Sequence, residues 1–116
     1  MKKPEIMSPV RNLATLQACK DYADAVYFSV DALSMRAGLK GITLRNLESF
    51  VKKCHEYSVK AYLVVNTVLY NDDIKVAEKI LKKAKTVGVD AVIVWDPAAI
   101  EIAHKIRMRF FCFNSG

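Results

Sequence analysis

Three times along the chain, a stretch with helical spacing gives way to a short apolar run. The junctions are Asp24-Ala25-Val26-Tyr27-Phe28, Val59-Lys60-Ala61-Tyr62-Leu63-Val64-Val65 and Asp90-Ala91-Val92-Ile93-Val94. Their first residues lie 35 and 31 positions apart. One strand-plus-helix unit of a parallel α/β protein takes about 30 residues or more. Between the runs, apolar residues recur every three or four positions: Leu13, Leu16, Cys19, Ala23; then Leu44, Leu47, Phe50, Val51, Cys54, Tyr57. Ile74, Ala77, Ile80, Leu81, Ala84 and Val87 form a third such row, and Ile100, Ala103 and Ile106 a fourth. That spacing is one face of a helix. The run 60–65 is nearly continuous, as in strands buried on both faces of a parallel sheet.

Turn and cap residues punctuate the same pattern. Strands are predicted over 4–10, 25–29, 60–65, 91–95 and 109–113. Asn12 is placed to accept a bond from an unpaired N–H of the first helix, and Thr43 does the same for the second. Asn71 or Asp72 opens the third, where Asp72 and Asp73 suit the positive end of the helix dipole. Gly88 ends it in the left-handed conformation. Asp96-Pro97 starts the fourth, with proline in the turn where its missing N–H does no harm. The connection 30–42 is long and holds Arg36, Gly38 and Gly41. Long connections in compact domains are often functional.

The reading is one α/β domain over 1–116, with five parallel strands and four helices. Two architectures accommodate it. Strands in sequential order make the first half of a TIM-like (β/α) barrel. A flavodoxin-like doubly wound sheet instead puts strand one between strands two and three. The chain ends just past the fifth strand, so the barrel reading is of an incomplete half. Unpaired edge strands template association, and the isolated chain is expected to self-associate.

Composition narrows the class. Of 116 residues, 53% are hydrophobic and 26% charged, which suits a packed domain rather than a disordered one. No apolar run approaches the roughly 18 residues of a membrane span. The basic start Met1-Lys2-Lys3 is followed by too few apolar residues for a signal peptide. A cytoplasmic protein without membrane contact is expected. Three cysteines with no paired spacing argue against a disulfide framework and a local metal site. The net charge of +6 gathers in Lys52-Lys53, Lys82-Lys83-Lys85, Arg107 and Arg109. It permits RNA or another polyanion as partner, and equally suits solvated helix faces. There is no HExxH, GxSxG or glycine-rich phosphate loop. Cys54 and His55 are adjacent on one helix, about 100° apart, so they form no catalytic pair.

An ordered set of short phrases is similar to the N-terminal part of the collagenase-like peptidase family, the U32 peptidases. The phrases are Asp24-Ala25-Val26-Tyr27, Arg36-Ala37-Gly38, Thr43-Leu44, Val65-Asn66-Thr67, Asn71-Asp72, Gly88-Val89-Asp90-Ala91-Val92-Ile93-Val94 and Asp96-Pro97. The resemblance implies a TIM-like barrel of which this chain is the opening half. It also implies one of two activities: proteolysis, or oxygen-independent hydroxylation of tRNA, ribosomal RNA or a quinone precursor. Family members of the second kind are associated with an iron–sulfur cluster, and the RNA-modifying ones with prephenate, a small anionic metabolite. The cluster cysteines lie beyond Gly116 in family chains, so no cofactor is assigned to this one. The chain departs from the family at Pro9-Val10-Arg11-Asn12, where Pro-Ala-Gly-Asn is usual. It departs again at Ser29-Val30, where two glycines are common, and in the tail 110–116.

In a barrel, chemistry sits at the C-terminal ends of the strands. The substrate-binding candidates there are Ser8, Ser29, Arg36, Asn66 and Asp96; no catalytic residue is assigned. Arg36 suits a bidentate hold on carboxylate or phosphate, against a plain surface arginine. Asn66 ends an apolar strand, where an amide contacts a ligand or a neighbouring loop. Asp96 is a base candidate or a helix cap. A decayed, inactive family remnant and an independent flavodoxin-like binding domain are the rival readings.

Overall fold

A computed structural model describes residues 5–30, 42–43, 45–65, 74–94 and 97–112. The elements alternate without exception: β1 (Met7–Pro9), α1 (Leu13–Cys19), β2 (Ala25–Phe28), α2 (Leu47–Glu56) and β3 (Lys60–Val65) come first. Then follow α3 (Ile74–Val87), β4 (Ala91–Val94), α4 (Pro97–Lys105) and β5 (Phe110–Cys112). The five strands form one parallel sheet in the order β1-β2-β3-β4-β5. Val26 pairs with Ala61 and Tyr27 with Tyr62. A doubly wound order would put β1 between these two strands, so the flavodoxin-like alternative is excluded.

Sequential order has a consequence for the helices. Right-handed crossovers that always step in the same direction leave every connecting helix on the same side of the sheet. The core follows this rule. Val26, Phe28, Ala61, Leu63, Val65, Val92 and Val94 share one face through the strand register. They pack in one cluster with Leu16 and Cys19 of α1, Phe50 and Cys54 of α2, Ile80 and Ala84 of α3, and Ala99 and Ala103 of α4. The Phe28 and Phe50 rings meet edge to face at 4.9 Å. Each fully buried Val, Leu or Ile adds about 1.5–3 kcal/mol, and these residues concentrate here. The opposite face holds a smaller cluster: Ala25, Tyr62 and Ala91, with Tyr27 and Ile93 against it.

The helix ends repeat one device. Ser58, Gly88 and Arg107 all have left-handed backbone, with φ of 59°, 90° and 58°. After each, the next N–H reaches five residues back: Val59 to Cys54, Val89 to Ala84, Met108 to Ala103. This is the Schellman turn, which satisfies helix carbonyls and tucks an apolar residue against the last turn. Val59, Val89 and Met108 are accordingly buried. Gly88 was legible as such an end; Ser58 and Arg107 were not, because neither is a glycine.

Other boundaries differ from expectation. β1 is only Met7–Pro9, although the Val10 N–H still donates to the Tyr27 carbonyl just beyond it. Leu13 is 41% exposed rather than part of the α1 stripe, being the helix's first residue. Asn12 does cap α1: its Oδ1 accepts from the Thr15 N–H at 2.9 Å, and Thr15 Oγ1 accepts from the Asn12 N–H. Thr43 does not sit at the start of α2. It exchanges bonds with Asn46, Thr43 N–H to Asn46 Oδ1 and Asn46 N–H to Thr43 Oγ1, and the helix begins at Leu47. The expected third-helix caps Asn71 and Asp72 lie outside the described residues. Among the described residues no helix is long and apolar enough to cross a membrane.

Candidate functional site

The two ends of the sheet are built differently. At the N-terminal end, the repeated aspartates tie neighbouring strands together. Asp24 donates its N–H to the Ile6 carbonyl at 2.8 Å and accepts the Ile6 N–H on Oδ2 at 2.8 Å. Asp90 does the same with Ala61, donating at 2.9 Å and accepting on Oδ2 at 2.7 Å. The repeat is thus a reciprocal pin between a strand start and its neighbour. Asp90 Oδ2 also meets His55 Nε2 at 2.9 Å. His55 is therefore engaged at the end of the sheet away from the expected chemistry.

Beside these pins, Glu5 reaches across to β3. Its Oε1 accepts from the Tyr62 hydroxyl at 3.0 Å, and its Oε2 lies 3.5 Å from the Lys60 ammonium. Burial, and then this hydrogen bond, push the Tyr62 phenol up to about 12. Tyr62 also meets Phe111 edge to face at 5.5 Å, and the Arg109 guanidinium lies over that ring. Sequence reasoning had passed over Glu5, Lys60 and Tyr62. The available signal was a tyrosine inside a run of aliphatic residues, whose hydroxyl needs a partner once buried.

The sheet face with no helix against it among the described residues is the candidate site. Register places Pro9, Tyr27, Tyr62 and Ala91 in one row across it, and Val64, Ile93 and Phe111 in the next. The second row is nearer the C-terminal strand ends, where parallel sheets present their loops. Of the expected site residues, Ser29 is exposed, one position beyond β2. Ser8 is half-buried in the middle of β1 and registers with Val26, on the helix-covered face. Arg36, Asn66 and Asp96 lie outside the described residues. On the helix side of the same edge, a cleft of about 270 Å³ separates the first turns of α1 and α2. It is lined by Asn12, Leu13, Ile42, Asn46, Phe50 and Lys53.

Cys19 and Cys54 are buried on separate helices within the core. Burial pushes the Cys54 thiol up to about 12. The protonated state makes Cys54 a poor nucleophile.

Comparison with known proteins gives this arrangement its context. The chain is 41% identical over 106 residues to an uncharacterised protease of Methanocaldococcus jannaschii, covering 90% of the chain and 26% of that protein. It is 38% identical over 107 residues to a collagenase of Porphyromonas gingivalis, covering 90% and 26%. It is 35% identical over 109 residues to tRNA hydroxylation protein P of Helicobacter pylori, covering 91% and 26%. The chain thus spans about a quarter of the length of these relatives. The profile of peptidase family U32 matches residues 11–111, from the cap of α1 into β5, and the chain belongs to that family.

Proposed function

We propose that this chain forms one wall of the substrate pocket of a cytoplasmic U32 enzyme, and that the substrate is RNA. The observation that carries the reading is the one-sided placement of the helices. It leaves Tyr27, Tyr62, Val64, Ile93 and Phe111 on a face with no helix packed against it among the described residues. Such a face is a pocket wall when further (β/α) units curve round to enclose it, as in a TIM-like barrel. Ser29, Arg36, Asn66 and Asp96 form the rim in this reading, with Arg36 holding an anionic group. Ser8 supports the wall from the helix side. The net charge of +6 favours a polyanionic substrate over a protein one, in line with the relative named for tRNA hydroxylation.

The test uses the complete protein that contains this chain. Transfer RNA from cells with and without the gene is digested to nucleosides and weighed by mass spectrometry. Loss of a nucleoside carrying one additional oxygen is expected, with the same loss for Arg36→Ala and Asn66→Ala. Unchanged nucleosides together with gelatin hydrolysis by the purified protein would overturn the RNA assignment in favour of proteolysis.

The same geometry bears on the isolated chain. Met7 on β1 and Phe111 on β5 are 40% and 41% exposed, on the two outer strands of the sheet. Apolar edges of this kind pair with one another. The 116-residue chain alone sediments as a dimer or larger species at tens of micromolar in this reading; a monodisperse monomer contradicts it.

A further inference from the structure

Helix α3 carries five lysines, Lys75, Lys79, Lys82, Lys83 and Lys85, against a single carboxylate, Glu78. Lys79, Lys82 and Lys83 lie three and four positions apart, which makes them neighbours on the helix surface. They are exposed or half-exposed, opposite the buried Ile80, Leu81 and Ala84.

The helix α2 makes a control within the same molecule. It also carries a lysine pair, but Lys52 is neutralised by Glu48 at 3.5 Å and Lys53 by Glu56 at 3.2 Å. On α3, Glu78 takes Lys82 at 2.7 Å and also feels Lys105. Lys85 is turned to the Ile106 carbonyl, where it joins α3 to the end of α4. Among the described residues, no carboxylate lies within ion-pair distance of Lys79 or Lys83. A helix that needed lysines only for solubility would be served by the balanced arrangement of α2.

We propose that the outward ridge of α3, centred on Lys79 and Lys83, is the surface on which the RNA phosphate backbone docks, outside the pocket. This rests on the RNA reading above and adds to it the place where the polymer is held. Phosphate contacts position a nucleic acid without reading its sequence. A ridge on the helix layer would therefore hold the body of the RNA while one nucleotide reaches the pocket on the far side of the sheet.

The experiment measures binding of fluorescein-labelled transfer RNA to the complete protein by anisotropy, over a series of salt concentrations. Three proteins are compared: the parent, Lys79→Gln with Lys83→Gln, and Lys52→Gln with Lys53→Gln. Each phosphate contact contributes roughly 0.9 to the slope of log affinity against log salt on a duplex. The α3 pair is expected to lower the slope by about 2 and to weaken binding roughly tenfold near physiological salt. The α2 pair is expected to change both less. Matching far-UV circular dichroism shows that all three are folded. An unchanged slope for the α3 pair, or equal losses for both pairs, overturns the docking surface while leaving the RNA reading intact. Absence of RNA binding by the parent overturns both.

Discussion

Tyr62 and Leu63 are adjacent in the chain and lie on opposite faces of β3. Leu63 is fully buried under the helices, among Val26, Phe50, Ile80 and Val92. Tyr62 is nearly as buried, yet its surroundings are two alanines, two aromatic rings and the carboxylate of Glu5. The helix face is apolar across β2, β3 and β4 and closed by four helices. The other face combines apolar area with polar tips and is covered only by its own side chains among the described residues. Stability therefore concentrates on one side of the sheet, and the proposed pocket wall is the other. That separation is what a binding wall requires, because residues that hold the fold together tolerate little change.

Substitutions on β3 give the largest effect. Leu63→Ala is expected to cost about 3 kcal/mol, the transfer loss plus the cavity left in a close-packed site. Val64→Ala, on the half-buried opposite face, is expected to cost about 1 kcal/mol. Urea unfolding of the two variants measures the difference, and equal losses would abolish the distinction between the faces. Next come the pins at the N-terminal end. Asp90→Ala leaves the buried Ala61 N–H without its acceptor and is expected to cost about 2 kcal/mol. Asp90→Asn keeps an acceptor oxygen and should recover much of that loss. A cost for Asn as large as for Ala would point to charge, and so to His55, rather than to the N–H.

Tyr62 sharpens the comparison through pH. Its folded phenol keeps its proton up to about 12, while the unfolded chain loses it near 10. A raised acid of this kind stabilises the fold fully below about 10 and loses that contribution as pH rises through about 12. Tyr62→Phe is expected to cost about 1 kcal/mol at neutral pH through the lost hydrogen bond, and to remove this part of the alkaline decline. Unfolding curves at neutral pH and above 10 for both proteins check it; an identical decline in the variant would assign it to other groups. The smallest effects belong to the helix ends, whose tucked residues Val59, Val89 and Met108 join the helix-side core. Ser58→Gly and Arg107→Gly relieve left-handed backbone at side-chain-bearing residues and should each stabilise by up to about 1 kcal/mol. Calorimetry would show the midpoint rising for each variant.

Much of this was legible in the chain. The runs at 60–65 and 91–94 were readable because strands buried on both faces are apolar at nearly every position. The stripe of α2 was readable because Leu47, Phe50, Val51 and Cys54 follow the helical period. The Asp24 and Asp90 repeat was visible as a repeat, but its meaning was not. Each aspartate acts on a residue in or just before the preceding strand, 18 positions back for Ile6 and 29 for Ala61. No local pattern encodes such a partner. Glu5 and Tyr62 are 57 positions apart and were missed for the same reason. Among the site candidates, Ser8 was placed by its position near the end of an expected longer strand. Register, which depends on the neighbour's pairing, put it on the helix side.

The sequence by itself determined the unit: strand, helix, strand, at intervals near 30 residues, with its caps and its apolar stripes. These are local matters, set by backbone propensity and by the periods of helix and strand. The pattern left the order of the strands open, the family resemblance implied a sequential one, and only the tertiary structure shows that order and so which face the helices cover. Both candidate orders use the same strands and helices with the same apolar patterns. They differ only in which strand lies beside which, and that choice rests on packing between units distant in the chain. Once the order is sequential, right-handed crossovers put every helix on one side, and the other face is left without a helix among the described residues.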